Sequence, residues 1–460
     1  MLANSLVQLD REHLIHPVSA YRSHEAKGVM VLESAKGMFV RDAAGKELLD
    51  AFAGLWCVNI GYGHESVVEA AAAQMRKLPY ATGYFGFGSE PAIRLAARIA
   101  ELTPEGLDRV YFSQGGSDAV DSAIRLITHY YNATNRPTKK QFIALQKGYH
   151  GSSSLGAGLT ALPVFHRNFD LPNANQHHIA SPYPYRNPAG SDDASVIASS
   201  VAALKAKVAE LGAENVAAFF CEPIQGSGGV IVPPVGWLKA MRETARELDI
   251  LFVADEVITG FGRTGPMFAC AAEGVSPDIM TVAKGLTAGY APMGAVILSE
   301  KVYAGIADGA SPETMIGHGY TYSGHPVSAA VGLEVIRLYT DGGILANGQK
   351  VGQQFEAGLA ALASHPMVGE ARSRGMLGAL ELVSNKAEKT PFGAKLGLSE
   401  RLFRHGYKNG IVFRAFADGT IGLAPALSCT EAEMETLLAR LKRTLDDALD
   451  ESDVRAAMHG

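Results

Sequence analysis

The chain has 460 residues, of which 47% are hydrophobic, and its formal net charge is −6 at pH 7. This length and apolar content suffice for a large α/β domain with a smaller partner domain. Because the balance of charge is acidic and no run of eighteen apolar residues occurs, we expect neither a nucleic-acid partner nor a membrane span.

The four cysteines are widely spaced and include no C-x-x-C pair. We therefore expect free thiols, mostly buried. Residues 1–17 contain early acids and no apolar core segment, which argues against a secretory signal. A reducing cytoplasm is the expected location.

The N-terminal part of the chain predicts a helix, a small antiparallel sheet and a second helix. Residues 1–17 carry leucines among polar residues, as a short amphipathic helix does, and residues 29–50 alternate apolar and polar side chains, as an antiparallel meander does. Residues 51–63 form a loop ahead of a helix over 65–77. Residues 79–88, PYATGYFGFG, are aromatic and glycine-rich without a period, which predicts a loop.

A strand over 109–113 leads through Gly115 and Gly116 into a helix that starts at Ser117. Apolar residues recur on one face of this helix at spacings of three and four. A glycine turn that opens a helix presents free backbone N–H groups and the positive end of the helix dipole, which suits a phosphate group. A simple helix cap without a ligand is the other interpretation of the same pattern.

Strands are predicted next over 141–146 and 216–222. Helices are predicted over 194–211 and 235–248. Residues 155–188 are rich in proline, aromatic residues and asparagine, which predicts an irregular excursion over the surface. His177 and His178 lie in a loop of this segment, without an H-E-x-x-H motif or a cysteine partner. We therefore expect no metal site.

Residues 250–257 and 278–283 are largely apolar runs, which predicts buried parallel strands. Asp255 lies near the end of the first run, and Lys284 directly follows the second. Ligands of open α/β sheets bind outside the carboxyl ends of the strands. Asp255 and Lys284 are therefore expected to face one crevice from neighbouring strands.

An acid and a lysine in one crevice suit pyridoxal phosphate. A lysine amine forms a Schiff base with the aldehyde, and a carboxylate keeps the pyridine nitrogen protonated, so that the ring withdraws electrons from the substrate. Lys284 would be the lysine and Asp255 the carboxylate. Taken alone, two such residues at strand ends can also be groups that face water.

Residues 260–265, GFGRTG, match the dinucleotide fingerprint G-x-G-x-x-G. That fingerprint needs an apolar helix directly after it and an acid at the end of the second strand. Residues 267–274 make only a poor, short helix, and Asp278 precedes its strand. We therefore expect no NAD site here.

A flexible, charged connector is predicted before the sequence HGYT at 318–321. Residues 411–415 form a predicted strand with Arg414, whose planar fork can donate two parallel hydrogen bonds to a carboxylate; a surface salt bridge is the alternative. The last helix begins with Thr430 and Glu433, a capping-box pattern. The C-terminal helices are predicted over 328–340, 349–363, 391–409 and 430–449, and strands over 368–382.

Five stretches carry a family resemblance: VADEVITGFGRTG, AKGLTAGYAPMGA, HGYTYSGHP, CEPIQGSGGVIVPP and AGLWCVNIGYGH. They resemble the class III aminotransferases, in particular the branch of ω-amino-acid and amine:pyruvate aminotransferases. The resemblance extends from about residue 16 to about residue 449, and its motifs are long and spread across the chain.

The resemblance implies the fold type I of pyridoxal-phosphate enzymes. This fold has a large α/β domain, with a mainly parallel seven-stranded sheet flanked by helices, and a smaller α+β domain. Residues 61–326 would form the large cofactor-binding domain, and residues 1–60 and 327–460 the two parts of the small domain. A homodimer, or a dimer of dimers, with shared active sites is also implied.

The resemblance assigns roles to residues at matching positions. Lys284 would be the catalytic lysine and proton carrier, with Asp255 at the pyridine nitrogen. The residues expected to hold the cofactor with them are Gly116, Ser117, Tyr149, Glu222, Val257 and Thr321. The residues expected to contact the substrate are Trp56, Tyr84, Phe85, Tyr149 and Arg414.

Several of these roles are specific. Tyr149 would stack on one face of the pyridine, with Val257 on the other face, while His150 supports the loop. Thr321 would donate to the phosphate of the other subunit's cofactor, and Tyr84 and Phe85 would line the other subunit's pocket. Residues 114–118 read QGGSD where the family commonly has N-S-G-S-E, so one hydroxyl contact to the phosphate is lost.

The implied activity is ping-pong transamination from an ω-amino acid or primary amine to pyruvate, which gives L-alanine and an aldehyde or ketone. Arg414 would hold the carboxylate of pyruvate and swing aside for an amine. An aminomutase or decarboxylase of the same fold, and a non-catalytic binding protein, are the alternatives. β-Alanine, taurine, putrescine and longer ω-amino acids all fit as donors, and the aromatic lining favours long or hydrophobic amines.

Overall fold

The computed structural model describes residues 2–311 and 313–459, and the strands of these residues form three sheets. The strands are β1 (Leu32–Lys36), β2 (Phe39–Asp42), β3 (Glu47–Asp50), β4 (Leu107–Ser113), β5 (Gln141–Leu145), β6 (Gln176–Ile179), β7 (Val216–Cys221), β8 (Leu251–Asp255), β9 (Ile279–Val282), β10 (Gly294–Ser299), β11 (Val368–Arg374), β12 (Leu377–Asn385), β13 (Thr390–Pro391), β14 (Ile411–Val412), β15 (Arg414–Ala415) and β16 (Ile421–Leu423).

Helices connect the strands and cover the sheets. They are α1 (Leu2–His13), α2 (Tyr21–Lys27), α3 (Ala53–Trp56), α4 (Glu65–Lys77), α5 (Glu90–Leu102), α6 (Gly116–Ala133), α7 (Gly156–Leu159), α8 (Asp193–Leu211), α9 (Trp237–Glu247), α10 (Ala269–Ala272), α11 (Glu300–Gly309), α12 (Pro326–Thr340), α13 (Ile344–Leu362), α14 (Leu398–Lys408), α15 (Glu431–Leu449) and α16 (Ser452–His459). Short 3-10 turns occur at Pro163–Phe165, Pro184–Arg186, Lys284–Leu286 and Ala394–Leu396.

The central sheet has seven strands in the order β4-β10-β9-β8-β7-β5-β6. The strands from β9 to β6 in this order run parallel, whereas β10 is antiparallel to both of its neighbours. Every residue of β7, β8 and β9 is buried. Complete burial is expected of parallel strands whose two faces are both covered by helices. The sheet is mainly parallel, as predicted.

Two strands of this sheet were not predicted. The region 155–188, predicted as irregular, contains β6, QHHI, a short polar strand at the end of the sheet order. His177 and His178 therefore lie in a strand rather than in the predicted loop. No strand was predicted over the residues of β10, which are mostly buried, and the charged segment between β10 and residue 318 contains α11. The apolar run of β10 is short and follows the turn-rich sequence AGYAPM, so its strand signal is weak.

The predicted strand over 411–415 is divided between two smaller sheets. β14 pairs in parallel with β3 and completes the sheet β1-β2-β3-β14. β15 pairs antiparallel with β16 in the sheet β11-β12-β16-β15, and β13 pairs with β12. Strands from both ends of the chain thus share one sheet. The domain boundaries 1–60, 61–326 and 327–460 stay a prediction.

The dinucleotide-like sequence at 260–265 forms turns, and the helix that follows it, α10, has only four residues. Arg263 is fully buried. Its guanidinium donates to Asn59 Oδ1 at 2.6 Å and to the carbonyl oxygens of Met376 and Pro425. Burial lowers the pKa of Arg263 to about 10. This sequence therefore joins the N-terminal loop to C-terminal segments.

The cysteines of the structure are free thiols, as their spacing predicts. All four cysteines are free; Cys57 is partly exposed, and Cys221, Cys270 and Cys429 are buried. Among the helices of residues 2–311 and 313–459, none is both long and apolar enough to cross a bilayer.

Helix α15 begins with the predicted capping box. The Thr430 hydroxyl accepts a hydrogen bond from the backbone N–H of Glu433 at 3.2 Å, and the Glu433 carboxylate accepts one from the N–H of Thr430 at 2.8 Å. Both bonds satisfy backbone donors that the first turn of a helix leaves free.

Replacing Thr430 by alanine removes this cap and should destabilise the first turn of α15 by about 1 kcal/mol. Amide hydrogen exchange in the peptide that begins α15 should then become about fivefold faster. Thr436→Ala, on the same helix, is the matched control and should change this exchange little, because alanine favours a helix interior. Equal effects of the two substitutions would contradict the capping role.

Candidate active site

Asp255 and Lys284 lie at the ends of adjacent strands. β8 ends at Asp255, which pairs in parallel register with Thr281 of β9. β9 ends at Val282, and Lys284 follows two residues later with a φ of 41°. A positive φ is uncommon for a lysine, and such conformations concentrate at functional sites. The expected juxtaposition of neighbouring strand ends is present.

The carboxylate of Asp255 is almost completely buried and is held by three donors. His150 Nδ1 donates to Asp255 Oδ2 at 2.8 Å. The hydroxyl of Thr281 and the backbone N–H of Val257 donate to Oδ1 at 3.0 and 3.2 Å. A buried charge is costly unless it is paired and hydrogen-bonded, and these bonds meet that condition. They also fix the direction in which the carboxylate points.

His150 has a role that the sequence does not predict. We expected it to support its own loop, but its ring is buried against Asp255. Burial opposes protonation of His150, yet the hydrogen bond and charge of Asp255 outweigh it and raise the pKa of the imidazole. His150 follows β5, which is separated from β8 by β7. The contact between His150 and Asp255 crosses β7, so no pattern of neighbouring residues in the sequence predicts it.

Lys284 lies in an environment that favours a neutral amine. Burial lowers the pKa of Lys284, and the negative charges of Asp255 and Glu222 oppose this shift only in part. A lysine with a lowered pKa is more often in the nucleophilic, proton-accepting form at neutral pH. Cys57 is also close enough to contribute to the shift, so the loop after α3 lies near the lysine.

Glu222 directly follows β7 and organises the loop that carries Tyr149. Its carboxylate accepts hydrogen bonds from the backbone N–H groups of Tyr149 and Gly226, both at 2.9 Å. Burial raises the pKa of Glu222 to about 7; His150 opposes the shift and Asp255 adds to it. The ring of Tyr149 is partly buried and meets Phe165 edge-on at 5.3 Å.

The start of α6 forms a concave backbone surface beside these groups. A Cβ at Gly116 would lie 2.9 Å from Val257 Cγ1, so only glycine allows this close approach. Ser117 Oγ accepts a hydrogen bond from the backbone N–H of Ser152 at 3.2 Å. The helix has 18 residues, and the N–H groups and dipole at the start of such a helix suit an anion. Val257 thus contacts both the helix start and Asp255.

These groups match the chemistry of pyridoxal phosphate. The described residues bring together a buried carboxylate, a lysine with a lowered pKa and a helix start that suits a phosphate. Their spacing along the chain is large, but the strand order places them at one edge of the sheet. The donor set therefore fits the cofactor that the sequence indicates.

Trp56 and Arg414 both lie next to Gly422 of β16. Trp56 is buried, has a φ of 61° and packs edge-on against Phe52 at 4.7 Å. Arg414 is exposed and lies opposite Gly422 in the strand register. A Cβ at Gly422 would lie 2.9 Å from Trp56 Cη2. The guanidinium of Arg414 lies 5.3 Å from the ring centre of Phe416.

Tyr84, Phe85 and Thr321 lie together in an exposed region. Phe85 is 91% exposed and Tyr84 40%. A Cβ at Gly319 would lie only 2.2 Å from the hydroxyl of Tyr84, so the loop 79–88 packs on the segment before Thr321. Tyr80 strengthens this contact by donating to the carbonyl of Thr321 at 2.9 Å. Phe87 of the same loop is exposed as well, and exposed apolar residues that lie together mark protein–protein contact sites more often than single ones do.

Comparisons with known proteins agree with this geometry. The family model "Aminotransferase class-III" matches residues 20–445. A putrescine–pyruvate aminotransferase of Pseudomonas aeruginosa is 40% identical over 439 residues, which are 95% of each chain.

Solved structures are similar over nearly the whole chain. A thermostable (S)-enantioselective ω-transaminase from Thermomicrobium roseum is 37% identical with a TM-score of 0.94, over 97% of this chain and 99% of that one. The ω-transaminase of Pseudomonas jessenii in complex with PMP is 35% identical with a TM-score of 0.94, over 96% and 98%. The predicted family and fold are confirmed. The chain belongs to the class III aminotransferases.

Proposed function

We propose that this aminotransferase moves the amino group of a primary amine or ω-amino acid to pyruvate, with pyridoxal phosphate as its cofactor. The observation that carries the proposal is the pair Asp255 and Lys284 at adjacent strand ends, with the pKa of the lysine lowered by burial. The similarity to a putrescine–pyruvate aminotransferase supports the choice of substrates.

The described residues divide the work of holding the cofactor. When bound, pyridoxal phosphate supplies an electron-accepting ring that stabilises negative charge at the amine-bearing carbon. The backbone at Gly116 and Ser117 would bind the phosphate, and Asp255 would hold a proton at the ring nitrogen. Tyr149 and Val257 would bound the two faces of the ring. Glu222 would keep the Tyr149 loop in place through its two backbone hydrogen bonds.

Lys284 would carry the mobile proton between the two carbon positions. Its amine Nζ, with a lowered pKa, can take a proton from the reacting carbon of the donor and return it at the neighbouring position. The same amine would attach the cofactor between turnovers. The Asp255 carboxylate would keep its three hydrogen bonds through these steps, which hold it in place at the ring nitrogen.

Arg414 would select the acceptor. Its guanidinium is exposed beside Phe416, and an arginine binds a carboxylate with two parallel hydrogen bonds. Trp56, which contacts the same strand pair, would limit the width of the pocket. An amine donor without a carboxylate needs neither hydrogen bond, so the arginine can move aside for it. A terminal amine on an apolar chain is the donor class that we propose.

The exposed region of Tyr84, Phe85 and Thr321 favours a homodimer with shared active sites. In a dimer these residues would be covered, and Thr321 would donate to the cofactor phosphate of the partner subunit. Covering Phe85 would remove an almost fully exposed aromatic ring from water. The free thiols support a cytoplasmic location.

Half-reactions test the proposal directly. Holoenzyme mixed with an amine and no acceptor should release about one equivalent of aldehyde or ketone per chain and then stop. An absorbance band near ~420 nm should bleach and then return when pyruvate is added. Product release that continues without pyruvate would favour a decarboxylase or an aminomutase. Absence of the band after supply of cofactor would favour a non-catalytic binding protein.

Lys284→Ala should lower turnover by about 10³-fold or more, because the attachment point and the proton carrier are lost together. The band near ~420 nm should also disappear, while the protein stays folded. Lys205→Ala, which removes an exposed lysine paired with Glu247, is the matched control and should retain both properties. Turnover of Lys284→Ala at the control rate would overturn the assignment.

Arg414→Leu should lower kcat/KM for pyruvate by about 10- to 100-fold, the effect of losing a charged hydrogen bond. The kcat/KM for an alkylamine donor without a carboxylate should change by less than about twofold. Arg443→Leu, at an exposed position on α15, controls for the general loss of positive charge. Equal losses for both substrates would show that Arg414 does not select the carboxylate.

A homodimer should elute from a size-exclusion column at twice the 48.6 kDa mass of one chain.

Thr321→Ala should raise the dissociation constant of pyridoxal phosphate by about tenfold, because a hydrogen bond to a charged phosphate is lost. Thr314→Ala, in the same exposed segment, should leave cofactor affinity unchanged. A fully active monomer, or equal affinities of the two variants, would argue against shared sites.

A further inference from the structure

Three side chains near the N-terminus converge on one point, away from the groups described so far. Asp10 lies in α1, His16 follows that helix, and His24 lies in α2. One ligand atom from each residue lies within 4.8 Å of the other two. The two imidazole rings are 4.7 Å apart between their centres. Two short helices and their connection thus contribute one group each.

The two histidines approach different oxygens of one carboxylate. His16 Nε2 lies 2.6 Å from Asp10 Oδ1, and His24 Nε2 lies 2.9 Å from Asp10 Oδ2. The side chains of Asp10 and His24 are only 10% and 12% exposed. Asp10 and His24 are therefore largely shielded from water, whereas the side chain of His16 is 32% exposed.

The contact between His24 and Asp10 is close but is not a hydrogen bond. Asp10 Oδ2 and His24 Nε2 are both buried, and neither atom has a hydrogen-bond partner. Buried polar atoms without partners are costly and call for an explanation, such as an ion. His16 and Asp10 share a hydrogen bond, but Asp10 Oδ2 and His24 Nε2 converge without one, and a cation would satisfy both atoms.

We propose that Asp10, His16 and His24 bind a divalent transition-metal ion of the zinc class. Two imidazoles and one carboxylate suit zinc, whereas calcium and magnesium prefer ligand sets made of oxygen. Ligand atoms of a tetrahedral zinc lie roughly 3.3 Å apart, so the nitrogens and oxygens must separate by about half an ångström. Water would take the fourth position. This site departs from our expectation of no metal.

The ion would fasten the N-terminal segment. α1 contacts the end of α2 through the Arg11 guanidinium, which donates to the carbonyl of Ala26 at 3.4 Å, a long and weak bond. Leu9 and Ile15 are 52% and 72% exposed, so little apolar burial holds this segment. Three metal bonds from α1, the connection and α2 would supply the missing constraint.

Zinc binding to the holoenzyme tests the proposal. Tag-free protein, treated with a chelator and resupplied with pyridoxal phosphate, is titrated with Zn²⁺ and its bound metal is counted. Wild type should bind about one zinc per chain, and His16→Asn and His24→Asn should weaken binding by at least about 10- to 100-fold. His13→Gln, whose histidine is 71% exposed on the same helix, is the matched control and should bind like wild type.

Hydrogen exchange provides a second readout. Zinc should slow amide exchange in residues 2–27 of wild type and of His13→Gln, but not of His16→Asn or His24→Asn. Calcium should have no such effect. Failure of wild type to bind zinc, equal affinities in all four proteins, or protection by zinc that does not require His16 and His24 would each overturn the proposal.

Discussion

The structure of the site depends on one buried carboxylate. Asp255 lies inside the protein, where an unpaired charge is unstable, and three donors from three different places stabilise it. His150 comes from the loop after β5, Thr281 from the adjacent strand, and Val257 from the turn that follows β8. A change in any one of these segments would leave the buried carboxylate with one hydrogen bond fewer. The hydrogen bonds that stabilise this carboxylate therefore connect the carboxyl ends of β5, β8 and β9.

Electrostatics at this edge follow from the same burial. Glu222 and His150 lie in a shielded region beside Asp255, whose negative charge helps to raise the pKa of both groups, while His150 opposes the rise at Glu222. Lys284 loses affinity for its proton through burial and regains part of it from the two carboxylates. The balance leaves Lys284 with a lowered pKa beside a hydrogen-bonded carboxylate. A lowered pKa suits a lysine that changes its protonation state during a reaction.

Features with a strong local signal were predicted from the sequence. The apolar runs that end near Asp255 and Lys284 are buried strands, because parallel strands need apolar residues on both faces. Thr430 and Glu433 form their cap because both partners lie within one helical turn. In contrast, β6 is a short polar edge strand, and the contact of His150 crosses β7. Such features depend on strand order, which local patterns do not contain.

The glycine-rich sequence at 260–265 shows that one pattern can serve two purposes. Gly262 has a φ of 83°, and a Cβ there would lie 2.6 Å from Leu345 Cδ1. Close packing, rather than access for a nucleotide, requires the missing side chain. Arg263 then satisfies buried carbonyl oxygens of distant segments. The G-x-G-x-x-G pattern alone does not distinguish a nucleotide-binding loop from a closely packed turn. The length of the helix that follows the pattern does.

The pairing of β14 with β3 has a consequence for the order in which the chain can fold. Residues 47–50 leave the ribosome early, but their partner strand at 411–412 is synthesised about 360 residues later. At a synthesis rate of about 5–20 residues per second, the edge of β3 waits roughly 18 to 72 seconds for its partner. During that interval it presents unpaired backbone groups to other nascent chains and to chaperones. The central sheet, whose strands end at residue 299, can form before the sheet of β1, β2 and β3 is closed.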